Sequence, residues 1–245
     1  MPTLSIGPRP SRRLIHISLA LLAVPTAGVA QQPSGAYRSG WGDLAALAVL
    51  AGAAIAPSAA GLPHGPPDCA PCDPASLWGI DRGVVGHATA GAGAASDVLV
   101  LGVMGGAALA VVTGAPSALR TGNAAVFGET IAAAYAATSW LKVAVGRERP
   151  VLYTADALTA ADDPDSQRSL PSGHTAAAFG AAVSYLVISG RQHLPHRTRN
   201  AVLLFGGAAA VGTLRVAAGR HFPTDVLAGA ALGSLIGWLV PTVRR

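Results

Sequence analysis

Five long apolar segments constrain the fold of this chain more than any other feature of its sequence. They cover residues 98–115, 124–145, 175–189, 201–216 and 226–240. Each is about long enough for a helix that crosses a bilayer, and the third is marginal. None alternates apolar and polar residues with the period of a half-buried strand. The pattern therefore predicts an all-α protein, a multi-pass bundle of transmembrane helices.

The composition also favours a membrane protein. Hydrophobic residues make up 51% of the chain and charged residues 12%, whereas about 25% charged residues is usual in soluble proteins. The 30 glycines fit this class, because small residues let membrane helices pack closely. A soluble, alanine-rich helical domain is the alternative. The arginines are scattered or lie in short loops without aromatic residues between them, so no nucleic-acid partner is expected.

The first segment of the chain, residues 1–30, is predicted to be an N-terminal signal peptide or membrane anchor. It begins with several arginines and continues with an apolar stretch over residues 14–30. Small residues at 28–30 favour cleavage as an export signal, and a retained anchor is the alternative.

Residues 31–96 are predicted to form a polar linker, an apolar segment and a loop, ahead of a core over residues 97–245. The apolar segment, 44–62, is interrupted by Pro57, so whether it crosses the membrane stays open. The loop holds the only two cysteines, Cys69 and Cys72. A redox pair or half of a zinc site is possible at this spacing, but no second pair of ligands exists. We expect a small structural disulfide formed in an oxidising compartment.

Loop charges predict the topology. Arginines occur in the loops 116–123 and 190–200 and at the C-terminus, and basic loops tend to stay in the cytoplasm. The polar loops 146–172 and 217–224 then lie on the outer face, which is the periplasmic side of a bacterial inner membrane. Residues 1–96 must contribute an odd number of crossings if the N-terminus stays inside, and none if a signal is cleaved.

The first of three polar blocks on this outer face contains the only lysine of the chain, Lys142. Lys142 precedes Arg149-Pro150 by seven positions, and residues seven apart lie on nearly one face of a helix. Two cations that converge at a helix end form a site for a dianion such as phosphate. A lysine that only snorkels at a helix terminus is the alternative.

The second block is Pro171-Ser172-Gly173-His174, at the start of an apolar segment. Ser172 is a good N-cap, and the free amides of the first helical turn attract an anion. Gly173 lets a phosphate oxygen come close to the backbone. The alternative is an ordinary capped helix.

The third block runs from Arg215 through His221 to Asp225. Pro223 suits the first turn of the last helix, which lets Asp225 reach back to His221. A carboxylate on one imidazole nitrogen fixes the tautomer and makes the other nitrogen a better nucleophile. A simple hydrogen bond at a helix end is the alternative.

Together the blocks supply the parts of a metal-free phosphoryl-transfer site. His221 would attack phosphorus and form a phosphohistidine, and His174 would protonate the leaving oxygen and then activate water. The non-bridging oxygens would be held by the three cations and the helix start, that is by Lys142, Arg149, Arg215, Ser172 and Gly173.

These blocks resemble the signature of the type 2 phosphatidic acid phosphatase family, which is shared with vanadium haloperoxidases and bacterial nonspecific acid phosphatases. The resemblance covers residues 142–225. It implies a helical bundle, hydrolysis of phosphate esters or diphosphates, and neither a metal nor a cofactor. One position departs from the pattern, since Leu214 stands where the family usually has a serine before Arg215.

The leading hypothesis is a membrane phosphatase whose substrate is a lipid phosphate or lipid diphosphate. The alternatives are a soluble periplasmic acid phosphatase and a non-catalytic protein that binds a lipid phosphate. The polar residues that flank the blocks are expected to be solvated at loop edges; they are Arg147, Glu148, Arg168 and Arg220. Glu129, inside an apolar segment, is either functional or bonded to a neighbouring helix.

Overall fold

The computed structural model describes residues 35–244, which fold into helices and connecting loops without a strand in that range. The helices are α1 (Trp41–Ala59), α2 (Gly79–Arg82), α3 (Ala92–Thr113), α4 (Ser117–Val145), α5 (Ala157–Ala160), α6 (Gly173–Gln192), α7 (Arg197–Ala217) and α8 (Pro223–Val243). The predicted all-α fold is confirmed. The predicted signal or anchor, residues 1–30, lies outside the described residues.

Four helices are long and apolar enough to cross a membrane, namely α1, α3, α7 and α8. Large apolar side chains on these helices are exposed, including Val49, Val98, Leu101, Val202 and Leu227. Water would be a poor solvent for such a surface, whereas the hydrocarbon of a bilayer covers it without cost. The protein is therefore a multi-pass membrane bundle. The segment around 44–62 forms α1, which continues through Pro57 to Ala59.

The helices α4 and α6 differ from the other long helices because they are not among the four that meet the length and composition of a span. The apolar segments 124–145 and 175–189 had been expected to qualify. Both helices bury polar side chains, such as Asn123 and Thr130 on α4 and Ser184 on α6. Helix α6 packs against α3, α4, α7 and α8. A helix that its neighbours shield from lipid can keep polar residues facing the bundle interior.

A row of glycines brings α8 directly onto the backbone of α6. A Cβ at Gly229 would lie 2.5 Å from the carbonyl oxygen of Ser172, and one at Gly237 would lie 2.5 Å from that of Gly180. Glycine at these positions allows the close approach that small residues give to membrane helices. One result is that the Ser172 amide donates to the carbonyl of Asp225 at 3.0 Å. The glycine row thus holds the second and third blocks together.

Helix α1 runs from one end of the bundle to the other. Near its start Asp43 pairs with Arg244, which also pairs with Glu129 of α4 at 3.0 Å. Near its end Ser58 accepts a hydrogen bond from Arg168 in the 146–172 loop, at 2.9 Å. Glu129 therefore joins neighbouring elements, which is one of the two roles expected for it.

The loop after α1 covers the segment that carries Arg149. Cys69 and Cys72 form the expected disulfide. The Cys72 amide donates to the carbonyl of Leu152 at 2.8 Å, and Leu152 is fully buried. This loop therefore packs on the helical turn Pro150–Tyr153, which directly follows Arg149.

Candidate active site

The three polar blocks meet at one end of the bundle. Lys142 lies in the last turn of α4, His174 in the first turn of α6, and Arg215 in the last turn of α7. Asp225 lies in the first turn of α8, and His221 lies just before that helix. Residues that are 83 positions apart in sequence (142 and 225) therefore share one site.

The first block is shaped by the end of α4. Gly146 ends the helix with a left-handed conformation, φ 59°, which glycine adopts without a steric penalty. Lys142 Nζ donates to the carbonyl oxygen of Arg168 at 2.7 Å. Arg149 is buried, and its guanidinium contacts the carboxylate of Asp165 at 2.7 Å and the carbonyl of Arg220 at 3.1 Å. Burial lowers the pKa of Arg149, and the charge of Asp165 opposes that effect.

The second block starts α6 as predicted, with Ser172 at the N-cap position. The Ser172 side chain does not make the expected bond to a first-turn amide. It accepts a hydrogen bond from the Thr175 hydroxyl instead, at 2.9 Å. A Cβ on Gly173 would meet its nearest neighbour, the Thr138 hydroxyl, only at 3.8 Å. The N-terminus of α6 is therefore the part of this block that is suited to an anion.

The third block buries its histidine almost completely, with His221 only 1% exposed. Nδ1 of His221 lies 3.6 Å from Oδ2 of Asp225, which is longer than a hydrogen bond. That carboxylate oxygen accepts from the Ser169 hydroxyl at 2.5 Å and from the Phe222 amide at 2.8 Å. Burial lowers the pKa of His221 to about 3, against the opposing effect of Asp225. The imidazole is consequently neutral at neutral pH, as a nucleophile must be.

Arg147 belongs to this site, although a solvated position at a loop edge had been expected. That expectation was wrong, because the Arg147 side chain is 19% exposed and bridges two buried carboxylates. It contacts Asp225 at 2.6 Å and Asp81 at 2.8 Å, and it lies 4.4 Å from the ring centre of Phe222. Burial acts to lower its pKa, but Asp225 and Asp81 outweigh this and raise it.

Asp81 was missed from the sequence. It lies in the short helix α2, is 1% exposed, and accepts hydrogen bonds from the amide and hydroxyl of Thr224 at 3.1 Å and 2.6 Å. A single aspartate in a glycine-rich loop gives no sequence signal for such a role.

The prediction of a solvated position was also wrong for Arg168, because this residue is buried and its carbonyl oxygen accepts a hydrogen bond from Lys142. Arg220 is exposed, as expected.

Asp97, near the start of α3, is the second acidic residue that was missed. One of its oxygens, Oδ1, lies 2.8 Å from Nε2 of His174 and 3.2 Å from Nη1 of Arg215. The same Arg215 nitrogen contacts the hydroxyl of Ser96 at 3.2 Å. Asp97 directly precedes an apolar segment, and nothing in that position separates a site residue from a loop boundary. Both histidines of the site therefore have a nearby carboxylate.

A cavity of about 670 Å³ opens beside the site. Its polar lining includes Arg149 and Arg220 together with Asp156, Asp163 and Asp165. Over residues 35–244, no three or more histidine, cysteine or acidic side chains are grouped so that they could hold a metal ion.

Comparison with known proteins identifies a family. A family model described as the PAP2 superfamily matches residues 123–245, which is half of the chain and includes all three blocks. The chain is also similar to a lipid A 1-phosphatase of Porphyromonas gingivalis, with 38% identity over 80 residues. That alignment covers 31% of this chain and 16% of the relative. No solved structure matches the chain.

Proposed function

Because the chain belongs to the PAP2 superfamily, as the resemblance of its three blocks implied, we propose that it is a membrane phosphatase. It hydrolyses a lipid phosphate or lipid diphosphate through a phosphohistidine intermediate. The observation that carries this proposal is the almost fully buried His221 beside Asp225. The cations Lys142 and Arg149 lie close to His221, and the third cation, Arg215, lies close to Arg149 and His174.

The first chemical step transfers the phosphoryl group to the protein. Nε2 of His221 attacks phosphorus, and the bond between phosphorus and the leaving oxygen breaks. His174 gives its proton to that oxygen, so the lipid departs as an alcohol, or as a monophosphate if the substrate is a diphosphate. Lys142, Arg149 and Arg215 stabilise the charge that develops on the non-bridging oxygens.

The second step releases phosphate. His174, now neutral, takes a proton from a water molecule whose oxygen attacks phosphorus. The bond between phosphorus and Nε2 breaks, and inorganic phosphate leaves. His221 returns to its neutral form and His174 returns to its protonated form, so the cycle is balanced.

Asp225 supports the nucleophile in both steps. Its carboxylate is held by Ser169, the Phe222 amide and Arg147, and this leaves it fixed and charged beside His221. A positive charge builds up on the imidazole as it attacks, and a fixed anion stabilises that charge. The distance of 3.6 Å to Nδ1 is expected to shorten in the transition state, as apo geometries often do.

A lipid substrate suits the surroundings of the site. The four apolar helices allow the acyl or prenyl chains to stay in the bilayer while the phosphate enters the polar end of the bundle. The name of the similar protein, lipid A 1-phosphatase, supports a lipid phosphate as substrate. Candidates are phosphatidate, phosphatidylglycerol phosphate, undecaprenyl diphosphate and a lipid A phosphate.

The site is proposed to face the periplasm. The arginines of the segments predicted as basic loops, 116–123 and 190–200, lie where α4 begins, α6 ends and α7 begins. These helix ends are opposite the site, and basic residues there favour the cytoplasm. Helix α1 supplies one crossing before α3, because it runs from the end with Arg244 to the end with Arg168. That crossing is one of the odd number that this topology requires of residues 1–96 when the N-terminus stays inside.

The experiment that tests the proposal measures phosphate release by detergent-purified protein in the presence of EDTA. The panel contains lipid phosphates, lipid diphosphates and one soluble ester. His221→Ala is compared with His64→Ala, which changes an exposed histidine outside the three blocks. We expect release by the wild type and the control, and none by His221→Ala. Release by His221→Ala at the wild-type rate, or loss of activity in EDTA alone, would contradict the mechanism.

A further inference from the structure

Asp97 occupies a position that the proposed chemistry does not yet explain. Two site residues from different helices, His174 of α6 and Arg215 of α7, approach the same oxygen of its carboxylate, at 2.8 Å and 3.2 Å. Helix α3, which carries Asp97, lies outside the region matched by the family model, residues 123–245. Neither the three blocks nor the comparison therefore assigns a role to Asp97.

The charges that face His174 show why a carboxylate is needed there. Burial has the largest effect and lowers the pKa of His174, the charges of Arg215 on α7 and Lys142 on α4 lower it further, and Asp97 on α3 opposes them. His174 is also in the first turn of α6, where the helix dipole is positive. The two cations and the helix start all disfavour a protonated imidazole. Among residues 35–244, Asp97 is the acidic residue in ion-pair contact with His174.

From this arrangement we infer that Asp97 is a positioning residue, which keeps His174 protonated and oriented as the general acid. The inference rests on the proposed phosphatase activity. The carboxylate holds Nε2 of His174 and leaves the other ring nitrogen to serve the leaving oxygen, in the same way that Asp225 serves His221 through the opposite nitrogen. Its contact with Arg215 fixes the same oxygen from a second side.

The side chain of Asp97 is 59% exposed, so replacing it does not open a cavity in the bundle. Asp97→Asn keeps the size and removes the charge, and the folded protein is expected to be recovered in normal yield. Asp162→Asn is the matched control, because Asp162 is an exposed aspartate of the 146–172 loop. No ion pair or side-chain hydrogen bond of Asp162 occurs within residues 35–244.

The decisive measurement compares two esters that differ in how much they need a general acid. One is a long-chain alkyl phosphate, whose leaving group is a strongly basic alkoxide unless its oxygen is protonated. The other is a nitrophenyl phosphate with the same alkyl chain, which leaves as a weakly basic phenolate. We expect Asp97→Asn to lower kcat for the alkyl ester by about tenfold or more, as part of a general-acid effect of about 10²–10⁴. The aryl ester should change by less than about threefold, because it needs little protonation.

A second readout is the pH profile of kcat with the alkyl ester. Loss of the carboxylate makes the proton on His174 easier to lose, so the alkaline limb of Asp97→Asn should move to lower pH. The profile of Asp162→Asn should match the wild type.

Several results would overturn the inference. Equal losses with both esters would mean that Asp97 only supports the structure, and no loss with either would mean that it has no role. A lower KM with unchanged kcat would mean that Asp97 competes with phosphate for Arg215. A wild-type protein that releases phosphate from neither ester would instead refute the proposed function itself, so the two failures are distinguishable.

Discussion

The two histidines of the site lie in contrasting environments. His221 and Asp225 are buried, with exposures of 1% and 0%, and the Asp225 carboxylate accepts hydrogen bonds from three donors, Arg147, Ser169 and the Phe222 amide. His174 and Asp97 are 31% and 59% exposed in their side chains, and among residues 35–244 the carboxylate of Asp97 forms ion pairs with His174 and Arg215.

This difference matches the roles proposed for the two histidines. A nucleophile must stay neutral and aimed at one atom, and both burial and a rigid carboxylate achieve this. A general acid must exchange protons with a leaving group and with water, so its surroundings have to remain accessible. The rigid pair, His221 and Asp225, lies at the packed α6–α8 interface. The accessible pair, His174 and Asp97, lies across α3 and α6.

The largest expected effect tests the rigid pair. His221→Ala removes the proposed nucleophile, and turnover should fall by about 10⁴-fold or more, as for other nucleophiles. The measurement is phosphate release, together with trapping of an acid-labile phosphoprotein from the wild type. Should His174→Ala, rather than His221→Ala, be the variant that fails to form the phosphoprotein, the two roles would have to be exchanged.

Asp225→Asn probes the anchor of that pair and should have the next largest effect. The amide keeps the size of the side chain but removes the charge that stabilises the imidazole during attack. We expect kcat to fall by about 100-fold or more, with a smaller change in KM. Steady-state kinetics on one lipid phosphate provide the measurement. A rise in KM at constant kcat would mean that Asp225 acts in substrate binding and not on the nucleophile.

Arg147 tests whether the network behind Asp225 matters. Arg147→Lys keeps a positive charge but cannot bridge Asp225 and Asp81 with a planar fork. A loss of about tenfold in kcat is expected, which is less than the roughly hundredfold cost of a lost direct contact. Arg199→Lys serves as the control, because Arg199 is exposed and its side chain bonds its neighbour Asn200 alone among residues 35–244. Equal activity of the two variants would remove Arg147 from the site.

The rigid pair was easier to predict from the sequence than the accessible one. Both residues of the rigid pair stand in short blocks whose residue types and spacing carry chemical meaning on their own, and so does His174 of the accessible pair. The blocks also contain Lys142, Arg149, Ser172 and Arg215. Asp97 and Asp81 are single acidic residues in segments distant from the blocks. Only tertiary packing brings them to the site, and no local periodicity or spacing encodes that packing.

The fold shows a similar limit. The apolar segments predicted the long helices, because a bilayer requires continuous hydrophobic stretches. The buried positions of α4 and α6 were not predictable, since a polar residue such as Asn123 can face either a loop or the bundle interior. Asn123 in fact bonds to the carbonyl of Val111 at 2.8 Å and to Gln192 at 2.9 Å. Partners of this kind exist only after the helices have packed.

The smallest expected effect concerns the pH dependence of stability, which should also separate the two pairs. Burial lowers the pKa of His221 from 6.5 to about 3 in the folded protein, so the unfolded chain binds a proton that the folded protein does not bind at intermediate pH. The stability from this residue is complete above pH 6.5 and is lost as the pH falls from 6.5 towards about 3. His221→Gln removes the titrating group, and its melting temperature in detergent should therefore fall less than that of the wild type over this range.

His64→Ala, which changes an exposed histidine, should melt with the same pH dependence as the wild type. Parallel melting curves for the wild type and His221→Gln would show that His221 is not held neutral by burial, and the contrast between the two histidines would then rest on geometry alone.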